Sequence, residues 1–143
     1  MIFDAQSLFS DRQAITATAN STNTIDFGVA MTPKHATGPV KRDVGAGRPI
    51  PLRIQIVEAF NNLTSVRVDL EVANNVAFTG SRVAVSTTVL LADAKAGAVL
   101  LPQYVPQGVN DRYARLRYTV TGTAPTTGRI TAGLVFGADT WGA

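Results

Sequence analysis

Ala114-Arg115-Leu116-Arg117-Tyr118-Thr119-Val120-Thr121 alternates apolar and polar residues almost without a break. A strand sends successive side chains to opposite faces, so period two marks a β-strand with one face on a core and the other toward water or a partner. The stretch runs into Gly122-Thr123-Ala124-Pro125-Thr126-Thr127-Gly128. Alternation then resumes, with Ile130, Ala132, Leu134 and Phe136 on one side and Thr131, Gly133 and Val135 on the other. Strand, turn and strand form an antiparallel unit. Val66-Arg67-Val68-Asp69-Leu70-Glu71-Val72 carries the same signature.

Outward from these segments, further short strands are predicted at Leu52–Phe60, Arg82–Leu91 and Val99–Leu101, the last stopped by Pro102. Thr24–Phe27 also reads as strand, and Ile15–Ala19 alternates. No sustained helical period appears. Seven to eight strands separated by turn signals predict an all-β chain, an antiparallel β-sandwich of which the jelly roll is one variety. The 143 residues fit one domain, 1–143. Residues 28–51 hold Pro33, Pro39, Pro49 and Pro51 with several glycines, and read as a long loop. Residues 1–12 read as an arm whose Ile2, Phe3, Leu8 and Phe9 require a docking surface. A tail at 139–143 carries the sole tryptophan, Trp141.

Composition narrows the chemistry. The chain has no cysteine, which removes disulfides, thiolate catalysis and cysteine-based zinc sites. Charged residues make up 16% and hydrophobic residues 45%, a balance that predicts surface covered by other protein. The net charge is +3. Its 13 basic residues are scattered among acidic ones rather than gathered in a stripe, which argues against a nucleic-acid partner. The opening residues lack a basic, then apolar, leader pattern, and no apolar run is long enough to span a bilayer. Synthesis in a host cytoplasm, without a membrane partner, is expected.

Catalytic signals are weak. His35 is the single histidine, and a metal site needs several ligands. No Gly-x-Ser-x-Gly elbow occurs. Asp69 and Glu71, two apart on one strand face, have the makings of a glycosidase pair. Their plainer reading is a solvent-facing charge ladder opposite Arg115 and Arg117. Gly45-Ala46-Gly47 resembles a nucleotide loop only in part, because the third glycine is missing and prolines follow. The expectation is a protein without enzymatic activity, catalytic residues, metal or cofactor.

Several segments resemble the capsid cement proteins of short-tailed phages, of the Bordetella phage type. They are Met1–Ser10, Ala14–Thr18, Ser21-Thr22-Asn23 before Ile25-Asp26, Ile50–Ile54, Tyr118–Thr123 and Thr127–Val135. The match keeps segment order over nearly the whole chain and is thinnest at residues 34–48. The resemblance implies a jelly-roll β-sandwich on the outer surface of the assembled capsid. It further implies a small oligomer, a homodimer rather than a trimer, that clamps neighbouring major capsid subunits against internal DNA pressure. The expected contacts are Ile2, Phe3, Leu8 and Phe9 of the arm, with Lys34, Lys41, Arg42 and Arg48 of the loop. Arginines there could grip shell carboxylates bidentately. The competing reading is a carbohydrate-binding sandwich of a host-adhesion structure, for which Tyr104, Tyr113 and Trp141 are the candidate platforms.

Overall fold

The structure is a computed structural model and describes residues 2–136. These residues form nine strands: β1 (Phe3–Ala14), β2 (Ala19–Asn20), β3 (Ile25–Asp26), β4 (Leu52–Glu58), β5 (Leu63–Ala73), β6 (Arg82–Leu90), β7 (Val99–Leu100), β8 (Tyr113–Gly122) and β9 (Arg129–Val135). They pair antiparallel in two sheets, ordered β1-β9-β4-β7 and β2-β8-β5-β6, with β3 also on β8. If β2 and β3 are taken as one interrupted strand, the chain crosses between sheets at every connection except β5 to β6. That path is the jelly roll.

The interruption explains nine strands where seven to eight were expected. Between β2 and β3, Ser21 N–H donates to the Leu116 carbonyl at 2.7 Å, and Leu116 N–H donates to Ser21 Oγ at 3.1 Å. A side-chain hydroxyl replaces a main-chain carbonyl in the ladder, and the edge continues through it.

Alternation correctly assigns the core. Leu52, Ile54 and Ile56 of β4 face Val66, Val68, Leu70 and Val72 of β5 across the layer, joined by Leu116, Tyr118, Ile130 and Ala132. Each aliphatic side chain of this kind contributes ~1.5–3 kcal/mol by leaving water. Tyr118 is fully buried, and its hydroxyl shares a 2.7 Å hydrogen bond with Ser10 Oγ. Burial pushes the phenol's pKa well above its ordinary value, and the bond to Ser10 offsets part of that rise.

Three expectations need correction. The arm at residues 1–12 is largely strand: Phe3–Ala14 is an edge strand laid on β9, with three register shifts along its length. The shifts break its alternation, so consecutive Phe9 and Ser10 are both buried. Of Ile15–Ala19 only Ala19 is in a strand, because Ile15 turns into the core while Thr16, Ala17 and Thr18 are exposed. The alternation of the last strand stops before Phe136, which is 83% exposed while Val135 is buried. Trp141 lies outside the described residues.

Candidate functional site

Jelly-roll connectivity sorts the loops by end. One end of the sandwich carries the turns 15–18, 59–62, 91–98 and 123–128. The other gathers the loops 27–51, 74–81 and 101–112, the first residues of β1 and the last of β9. Cross-links confirm this second grouping. Pro51 bridges Tyr104, Asp43 accepts from Gly108 N–H at 2.8 Å, and Arg82 pairs with Asp111 at 2.6 Å.

The loop 27–51 is pinned at both roots. Asp26 accepts two hydrogen bonds from Arg112 (2.9 and 2.8 Å) and one from Gly28 N–H (2.8 Å). The Arg112 hydrogen bonds, followed by that of Gly28, hold the Asp26 carboxyl down to about 2. Arg42 reaches back to the Phe27 carbonyl at 2.7 Å, and Val44 N–H donates to Val109 at 2.8 Å. Gly45 packs so tightly on the Pro106 carbonyl that any Cβ there would overlap it. Between the roots the chain projects as an excursion over 29–41, drawn together by Val40 N–H donating to the Met31 carbonyl at 3.0 Å. Val29, Met31 and Val40 are exposed on it, Met31 to 77%. Lys34, His35 and Lys41 are exposed there too.

Beside the second root lies an apolar groove of about 460 Å³, lined by Ser7, Arg48, Pro49, Ile50, Leu134 and Phe136. A second hollow of about 290 Å³ sits at the foot of the excursion, against Phe27, Val29, Val40 and Arg42. Apolar walls with a guanidinium at the rim can take an apolar side chain of a partner together with a nearby carboxylate.

The expected contact residues divide accordingly. Arg48 lines the groove, and Ile2, Lys34 and Lys41 are exposed at the same end. Phe3 and Leu8 are half-buried on the edge strand. Phe9 is fully enclosed in the core and offers no surface to a partner. Arg42 is half-buried and committed to the Phe27 carbonyl, so it braces the loop. Leu134, Ile50 and Phe136 were missed. Their only sequence signal was apolar residues falling at strand ends, and no local pattern reveals that Ser7 and Leu134 become neighbours.

Asp69 and Glu71 occupy the outer face of the β2-β8-β5-β6 sheet, opposite Arg117 and Arg115. Arg115 donates to Glu71 at 2.8 Å, Arg117 stands 3.7 Å from its other oxygen, and Arg67 donates to Asp69 at 2.7 Å. The ladder is present, but its carboxylates are buried rather than solvated, because guanidiniums lie over them. Arg115 in turn lies 4.1 Å from the Phe78 ring centroid. Both acids are saturated by cations. Among the described residues no three His, Asp or Glu side chains converge as a metal site. Of the aromatic platforms, Tyr104 is exposed beside Pro51, while Tyr113 lies under the Arg112 guanidinium.

The family model for Bbp16 matches residues 9–135. The chain belongs to the Bbp16 family. Its name points to a protein of a Bordetella phage, in keeping with a virion component. The match covers both sheets and the loop 27–51, and stops just short of the groove's last residue, Phe136. No curated protein matches the chain.

Proposed function

We propose that this Bbp16-family protein is a cement protein of the virion, without enzymatic activity. It binds the outer surface of the assembled capsid and ties neighbouring major capsid subunits together against the pressure of packaged DNA. One observation carries the reading: exposed apolar side chains, and cations with no ion-pair partner among the described residues, collect at one end of the sandwich, around the Arg48 groove and the 29–41 excursion. Such a surface suits a shell built of many identical sites. A homodimer presents two copies of this end, so modest contacts at each site multiply into durable attachment.

Co-sedimentation of the purified protein with mature, undecorated heads tests this. Saturable, stoichiometric binding that raises the rupture temperature of the heads is expected, with Arg48→Glu weakening it and leaving the melting temperature unchanged. Absence of binding by the unaltered protein would overturn the proposal.

A further inference from the structure

The sandwich has a second surface suited to a partner, away from the long loops. Strand β6 is the outer strand of its sheet, pairing only with β5. Leu91 N–H donates to the Thr64 carbonyl. With the antiparallel register, alternate residues back along β6 bond inward, and Ser86 and Thr88 point their N–H and C=O groups away from β5. Among the described residues no strand other than β5 pairs with β6, so these main-chain groups face no partner strand.

An open edge invites another strand, and proteins blunt such edges with charge, proline or bulges. The edge strand β1 is blunted in this way, with three register shifts and the charges of Asp4, Asp11 and Arg12. On the opposite side, β6 is not. Its one register shift is confined to its start, Arg82 is its sole charged residue, and Val85–Leu90 runs straight without proline. Beside this edge lies a slot of about 260 Å³ between the two sheets, lined by Thr87, Val89, Ala98, Leu100, Leu101 and Asp93. Of these residues Leu101 is 65% exposed. The slot is too small for a drug-sized ligand, and it fits one or two apolar side chains.

We infer that β6 accepts an extended segment of another protein chain as an added strand, with apolar residues at alternate positions and a basic residue near one end. Main-chain pairing to Ser86 and Thr88 supplies affinity, and the slot selects the inward side chains. The exposed Asp93 carboxylate at the mouth, which has no ion-pair partner among the described residues, selects the basic residue. A second copy's β6 fits less well. Its inward side chains stay in their own core, and the slot would remain unfilled. The inference is independent of capsid binding.

The test uses the full chain and the synthetic peptide Lys-Val-Thr-Val-Thr-Val-Lys, which brings a lysine to Asp93 in either orientation. Amide exchange is followed by NMR. Saturating peptide slows exchange at Ser86 and Thr88 by about tenfold and leaves other edge amides unchanged. Thr88→Pro removes a donor that faces outward, so the sandwich keeps its melting temperature while peptide protection is lost. Asp93→Asn retains protection at weaker affinity. The inference is overturned if the peptide leaves both amides unprotected, or if Thr88→Pro binds it as well as the unaltered protein. Protection that grows with protein concentration alone would overturn it too, by naming a second copy as the occupant.

Discussion

The two ends of the sandwich are built on different terms. At the short-turn end the turns 59–62 and 123–128 are consumed by the fold. Asn61 accepts from Thr126 and Thr127 N–H and donates to Thr126 Oγ1, while Gly128 lies flat against the Phe60 ring. At the other end only the loop roots are consumed. Asp26, Arg42, Asp43 and Gly45 hold the base, and residues 29–41 project from it with apolar groups in water. A turn that has closed its hydrogen bonds and apolar contacts internally has nothing left for a partner. An end that fixes its roots and leaves its tips exposed has a presentable surface on a rigid mount.

This contrast can be broken by substitution. Gly128→Val should do most damage, since φ is +133° there and a Cβ would strike Phe60. A loss of ~3 kcal/mol or more in urea unfolding is expected from strain and overpacking together. Asn61→Ala removes the clasp on the 123–128 turn and should cost ~1–2 kcal/mol in the same assay.

Asp26→Asn probes the mount at the other end and carries a pH signature. The folded carboxyl sits near 2 against an ordinary 3.8, so its ionised form is the one the fold prefers. Its contribution is full above that ordinary value and is lost as pH falls toward 2. The melting temperatures of Asp26→Asn and the unaltered protein should differ at pH 6 and converge near pH 2. Least disturbing to stability should be replacement of Thr32–Pro39 by Asn-Gly between Met31 and Val40, where a hydrogen bond already closes the chain. A change below ~0.6 kcal/mol is expected from the shorter loop, with attachment to heads weakened. Lost stability there would mean that the excursion belongs to the fold after all.

The strands easiest to read, β5 and β8, have neighbours on both edges and one face on the core, so period two survives in them undisturbed. Strand β1 was read as an arm because an edge strand answers to one neighbour only and tolerates bulges, which erase the alternation. Phe9 looked available for the same reason. The Arg48 groove was half legible: proline and arginine composition singled out residues 48–51, whereas its other wall comes from Ser7 and Leu134, brought there by topology alone. Burial of Asp69 and Glu71 was not legible, because it depends on where Arg67 and Arg115 lie down.

Those two acids also bear on how the chain finds its alignment. A one-residue slip of β5 against β8 would turn the core face outward and is excluded by hydrophobicity. A two-residue slip keeps every apolar residue on the correct face, so hydrophobicity cannot detect it. The charges can. Slipped one way, Asp69 faces Thr119 instead of Arg117; slipped the other way, Glu71 faces Tyr113 instead of Arg115. The second slip takes Glu71 away from the Arg115 guanidinium that covers it, at a cost the packed sheet does not recover, whereas in the first Asp69 keeps Arg67 of its own strand. The ladder on the outer face thus works as a proofreading key for the central strand pair against slips in one direction, with Glu71 as its tooth.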